Sequence, residues 1–216
     1  MTAQTFDSTK AEAFAERILG MMNGSALALM TSIGHRTELF DTLAELPPST
    51  SQQIADAAGL NERYVREWLG AMVTGRFVEY DAIAKTYSLP AEHAAFLTRA
   101  SSPDNLAPFA QYIPLLGSVE DQIVDCFYKG GGVPYSQFKR FHEVMAEDSG
   151  QTVVAALEEH LLPLIPGLLE ALQQGLDVLD VGCGSGLALI DTPRSKDTGI
   201  LYSTSEFALA GFPQLA

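Results

Sequence analysis

Cysteine is almost absent: Cys126 and Cys183 are the only two in 216 residues. Two thiols, one of them inside a glycine-rich turn, make no disulfide framework, and a reducing cytoplasm is the expected location. Histidine is equally sparse. His35, His93, His142 and His160 have no partner at metal-ligand spacing, so no metal site is expected. Long apolar runs are missing as well. The best, Leu161 to Leu172, is broken by Pro163 and Pro166 and falls short of the roughly 18 residues of a spanning helix. Met1 to Lys10 is polar and lacks the charged-then-apolar plan of a secretory signal. Positive charge is scarce too. Thirteen Lys and Arg face 27 Asp and Glu, a formal net charge of −14, which disfavours nonspecific attraction to nucleic acid or anionic membrane.

What is present is an ordinary globular mixture, 47% hydrophobic and 19% charged. Phe14, Ile18, Met21 and Met22 recur at helical spacing, which predicts a helix from Lys10 to about His35. Ser25 to Ile33 is apolar nearly all round and asks for burial against a second domain or a second subunit. A short helix over Thr37 to Leu46 ends at Pro47-Pro48. Thr50 or Ser51 caps a helix through Ala58, with Gln53 three residues after Thr50 as a partial capping box, and Gly59-Leu60-Asn61 makes a turn. Glu62 to Thr74 is a second helix with Val65, Leu69 and Met72 inward, and two short strands follow around Phe77 to Tyr80 and Thr86 to Leu89. Helix, turn, helix and two-stranded wing resemble a winged helix. Ser49 to Thr98 nevertheless carries four basic against six acidic residues. A DNA reader needs a basic face, so nucleic acid is not the expected partner, and Trp68 is expected to be packed.

After Pro103 a helical connector runs to Cys126 and the loop Gly130-Gly131-Gly132-Val133-Pro134-Tyr135. The loop is either a flexible linker or a lid that brings Tyr135, Phe138, Phe141 and His142 towards a ligand. Further helix follows from Glu143 to Leu162, broken near Asp148 to Gln151, and a short one runs from Gly167 to Gln174. Then comes Asp177-Val178-Leu179-Asp180-Val181-Gly182-Cys183-Gly184-Ser185-Gly186. Val178, Leu179 and Val181 read as a short buried strand, the glycines as a tight turn, and Leu187 to Ile190 as a helix start whose N–H groups face the same crevice. The spacing is neither the G-x-G-x-x-G of a dinucleotide fold nor a P-loop, since no lysine follows.

Acid, apolar residue, then Gly-x-Gly-x-Gly closely resembles the first motif of the class I S-adenosylmethionine (SAM) dependent methyltransferases. The resemblance implies that Gly182, Gly184 and Gly186, with Cys183 between them, cradle the amino-acid end of SAM and that Asp180 interacts with it. The N-terminal layout is similar to small-molecule methyltransferases whose winged helix serves dimerisation. It also resembles a bacterial winged-helix group sometimes labelled transcriptional regulators. The implied fold is a mostly helical winged-helix domain followed by the start of an α/β Rossmann-like domain. The implied division is 1–100 for the dimerisation-type domain, 101–174 for the connector and 175–216 for the cofactor domain. The implied partners are a small-molecule methyl acceptor and a second copy bound through the N-terminal helices, with Tyr135 near cofactor or substrate and His142 a candidate base.

Seven strands complete the sheet of that family, and only thirty residues follow Gly186. Asp191-Thr192-Pro193 stops the helix early, Gly199 to Tyr202 is a possible strand, and Glu206 is the sole acid at the distance of a ribose ligand. The expectation is therefore a truncated or frameshifted methyltransferase, inactive alone. The alternative is a winged-helix interaction module or, further off, a DNA-binding regulator.

Overall fold

The computed structural model describes residues 6–192 and 200–203. Helix α1 (Ser8–Arg36) is capped by Asp7, whose carboxylate accepts from the Lys10 amide at 3.2 Å. Its C-terminal half enters the core, with Thr31, Ser32, Gly34 and His35 buried. Its first half does not: Phe14, Leu19, Met21 and Met22 all stand exposed. Of the stretch expected to be covered on every side, Leu27 and Met30 pack against the core whereas Leu29 and Ile33 face outward.

Helix α2 (Leu39–Glu45) leads to α3 (Ser51–Ala58) and α4 (Glu62–Thr74), and these form the winged-helix core. Thr50 completes the capping box that its spacing from Gln53 suggested, and Gly59 ends α3 in the left-handed conformation. Ile54, Val65, Leu69 and Met72 are buried beside Phe40. Trp68 is packed as expected. Its ring meets Phe40 edge-on at 5.2 Å and its Nε1 donates to the Met30 carbonyl at 2.8 Å, which fastens α4 to α1. Strands β1 (Glu79–Asp81) and β2 (Thr86–Ser88) pair antiparallel as the wing, with Tyr80 opposite Tyr87. Thr50→Ala removes the reciprocal cap and is expected to cost about 1 kcal/mol, read as a lower urea midpoint.

Helix α5 (Ala91–Ala94) and the 3-10 turn Ala107–Gln111 lead to α6 (Tyr112–Gly117) and α7 (Glu120–Lys129). The glycine loop follows, with Gly130 and Gly131 at positive φ. Helix α8 (Phe141–Ser149) ends where the sequence suggested a break, and the chain continues in two π-helical turns, Gly150–Val154 and Leu157–Leu161. The Thr152 hydroxyl donates to the Asp148 carbonyl at 2.8 Å across this junction.

Helix α9 (Leu168–Gln174), strand β3 (Val178–Val181), helix α10 (Leu187–Asp191) and strand β4 (Ile200–Ser203) complete the described elements. Strands β3 and β4 run parallel, Val178 opposite Ile200 and Val181 opposite Ser203, as the start of a Rossmann-like sheet requires. One expectation is corrected. Leu179 and Val181 are 59% and 76% exposed, so β3 is not buried on both faces. Its one neighbour among the described residues is β4, and a strand is covered on two faces only when helices or further strands pack on both.

Candidate functional site

Strand β3 delivers Asp180, half-buried, one residue short of its end. The turn that follows owes its shape to glycine. Gly182, Gly184 and Gly186 have φ of 81°, 57° and 77°, a region that costs an ordinary L-residue roughly 1–2 kcal/mol. A Cβ added at any of the three meets nothing within 4 Å. Space therefore does not demand these glycines; backbone conformation does, and the turn presents an open face of bare main chain. The Gly186 amide closes the turn on the Cys183 carbonyl at 2.8 Å, and the Ile190 amide bonds Gly186 to begin α10. Cys183 is half-buried with its thiol directed at the Gly184 carbonyl, 3.7 Å away. Helix α10 is a stub of five residues, so its dipole is small.

Tyr135 and His142 lie in an aromatic cluster at the start of α8. The Tyr135 ring is 5.5 Å from Phe141 and 6.5 Å from Phe138, and Phe141 meets His142 edge-on at 5.7 Å. These rings pack on one another around Tyr135, which is 59% exposed. The opposite end of α8 runs towards the glycine turn, since α10 packs on the π-helical turn Gly150–Val154. From Phe141 to Ser149 the helix rises about 12 Å. Glu206 lies outside the described residues.

Sequence reasoning missed a polar cluster between α1 and α8. His35, 1% exposed, places Nε2 2.5 Å from Glu147 Oε1. Gln111 Nε2 donates to Glu147 Oε2 at 2.6 Å, and Gln111 Oε1 accepts from Arg140 at 2.9 Å. The hydrogen bond from His35 holds the Glu147 carboxyl far below its ordinary value, at about 2, with Gln111 adding to the effect against the cost of burial. Next to it Tyr112 donates to Asp148 at 2.8 Å, and burial together with that carboxylate pushes the phenol up to about 12. Because the Glu147 pKa is depressed in the folded state, its contribution is complete above the ordinary carboxyl value of 4.5 and is lost as pH falls towards about 2. The melting-temperature gap between the natural protein and Glu147→Gln is therefore expected to hold above pH about 4.5 and to shrink below it, which a pH series of thermal melts reads directly. His35 and Glu147 are 112 positions apart, and no local pattern links them.

An apolar cleft of about 760 Å3 opens beside α1, walled by Leu27, Phe77, Phe96, Leu106 and Phe109, with Arg76 and His93 also in its lining. It shares no residue with the glycine turn. Among the described residues no helix is long and apolar enough to cross a membrane.

Residues 25–99 match the family model of the Rv2258c-like winged HTH domain. The chain is similar in fold to mitomycin 7-O-methyltransferase MmcR at a TM-score of 0.59 and 16% identity, over 91% of this chain and 59% of that one. It is likewise similar to human N-acetylserotonin methyltransferase, solved with SAM, at 0.55 and 16% over 94% and 60%. A third likeness is to N,N-8-amino-8-demethyl-D-riboflavin dimethyltransferase (RosA) from Streptomyces davawensis, at 0.52 and 18% over 87% and 58%. No curated protein matches the chain in sequence. At these identities the likeness establishes the fold: a winged-helix domain followed by the start of a methyltransferase-like Rossmann domain. The chain spans about three fifths of the length of these structures.

Proposed function

We propose that the chain binds SAM at the glycine turn and belongs to an enzyme that moves a methyl group to a small-molecule acceptor. The observation that supports this reading is the turn itself, three glycines at positive φ with open space over each, directly after a strand that carries Asp180. SAM, when bound, supplies a methyl group activated on a sulfonium. Gly182, Cys183, Gly184 and Gly186 would hold its amino-acid end against the main chain, and the Asp180 carboxylate would accept from its ammonium. Tyr135 and the aromatic rings around it would wall the acceptor, and the His142 imidazole would take the acceptor's proton where one must leave. In this reading residues 1–100 serve dimerisation, 101–174 connect, and 175–216 begin the cofactor domain. Titration calorimetry of the full chain with SAM tests it. Saturable heat at micromolar ligand is the expected result, and no heat at several hundred micromolar ends the reading.

A second reading, an interaction module that pairs two copies, is favoured by α1. Its first half exposes Phe14, Leu19, Met21 and Met22 in one stretch, more apolar surface than a free helix face normally carries. The apolar cleft beside it is lined in part by α1 itself, at Gly24, Leu27, Ala28 and Thr31. In this reading the Phe14–Met22 stretch of a second copy packs into this cleft. Light scattering is expected to give twice the 23.2 kDa chain mass, and Met22→Glu to return the monomer. A monomeric natural chain would contradict the pairing.

A further inference from the structure

A turn built from three left-handed glycines has little means of holding itself. Glycine carries the largest conformational freedom of any residue, and the helix that follows is only five residues long, with Ile190 67% exposed. The shape of the turn therefore depends on where the inward residues of α10, Leu187 and Leu189, find support. Leu189 is buried. Leu187 seats over Gly150, its Cδ1 3.6 Å from the point where a Gly150 Cβ would stand.

Gly150 comes three residues after Glu147, at the point where α8 passes into its π-helical turn. That end of α8 is held in two ways, and the start of the helix in a third. Glu147 meets His35 of α1 and Gln111 of the 3-10 turn through separate oxygens. Asp148 accepts from Tyr112. Arg140, whose own backbone is left-handed at φ 68°, bonds both Gln111 and Glu143 at the other end of the helix. The buried Nδ1 of His35 has no partner among the described residues. With Nδ1 unpartnered, the ring donates from Nε2, and its side-chain hydrogen bond among the described residues is the one to Glu147. The titratable and charged groups that face Glu147 are His35 from α1, Arg99 from the segment after α5, and Arg140 and Glu143 on α8 itself.

We propose that Glu147 is a positioning residue for the glycine turn: by clamping the end of α8 to His35 and Gln111 it fixes the Gly150 surface on which Leu187 seats, so that the winged-helix core and the turn are mechanically coupled. The path runs from α1 through His35, Glu147 and Gly150 to Leu187 and so to Gly186. The consequence for ligand affinity rests on the SAM reading of the turn; the mechanical coupling does not.

Hydrogen exchange on the full chain tests it. Glu147→Ala is expected to speed exchange of the hydrogen-bonded amides of Ile190 and Thr192 by about tenfold while the amides of α4 keep their protection, a local opening rather than a global one. Glu143→Gln, which removes only the exposed partner of Arg140, leaves Ile190 and Thr192 within about twofold of the natural protein. A purely structural role for Glu147 would loosen α4 in step with α10 and would overturn the proposal. Unchanged exchange at Ile190 and Thr192 while α8 itself opens would overturn it as well. Should Glu147→Ala fail to fold, Leu187→Ala reads the same coupling from the other end, because coupling between sites is reciprocal. It is expected to speed exchange at Glu147 and Asp148, and no change there overturns the coupling equally. SAM affinity, measured in parallel by calorimetry, is expected to fall about tenfold in Glu147→Ala. If neither protein binds SAM, the cofactor reading fails while the exchange result still decides the coupling.

Discussion

Gly34→Ala is expected to destabilise the protein, although alanine is the better helix former. Gly34 lies in α1, where the exchange should gain about 0.8–1 kcal/mol of intrinsic helix propensity. The added methyl, however, runs into the six-membered ring of Trp68 and comes 2.8 Å from Phe40 Cε2. The Trp68 ring cannot swing aside. It is 4% exposed, tied at Nε1 to the Met30 carbonyl and set edge-on against Phe40. Overpacking a filled core costs roughly 1–3 kcal/mol, and the still closer approach to the Trp68 ring places this site towards the upper end, so the net loss should reach about 2 kcal/mol. Gly70→Ala in α4 is the control. Nothing stands within 4 Å of its added Cβ, and the propensity gain appears alone, about 0.5–1 kcal/mol of added stability. Urea midpoints at constant slope measure both, and a stabilised Gly34→Ala would show that α1 does not press on the core as described.

Gly182→Val carries the largest expected effect on the candidate site. Gly182 has φ of 81°, and a β-branched residue there is a true outlier that must refold the turn. The distortion alone costs about 1–2 kcal/mol, and the valine side chain also occupies the open face on which the ligand is proposed to lie. Loss of SAM affinity by at least about tenfold is expected, while the winged-helix core keeps its urea midpoint. Ser185→Ala, a change beside the glycines that asks nothing of the backbone, should leave affinity unaltered. Equal binding by Gly182→Val and the natural chain would remove the glycine turn from the cofactor reading.

These two sites also mark what can and cannot be read without coordinates. The winged helix was legible because its signals are local: Thr50 with Gln53 at one helix start, the turn Gly59-Leu60-Asn61 before the next, and an inward stripe of Val65, Leu69 and Met72. The glycine turn was legible for the same reason, since strand, acid and glycines lie within ten residues. The buried-strand reading of β3 failed at Leu179 and Val181, because an apolar run states a preference for burial but does not supply the neighbours that provide it. The π-helical turns after α8 were invisible to periodicity, which separates 3.6 from 2.0 but not α from π. The His35–Glu147 pair joins residues 112 apart, and His35 looked like an isolated histidine because its partner comes from another helix. The apolar cleft has the same origin, with walls drawn from α1, the segment before β1, and the stretch from α5 to the 3-10 turn.

The most direct test of the account is a SAM titration of the uniformly 15N-labelled chain, followed by amide resonances. Saturable shifts centred on Asp180, Gly182, Cys183, Gly184 and Gly186, with α4 unmoved, are the predicted result. No shift at millimolar SAM, or shifts confined to the cleft around Leu27, Phe96 and Phe109, would contradict the assignment of the glycine turn as the cofactor site.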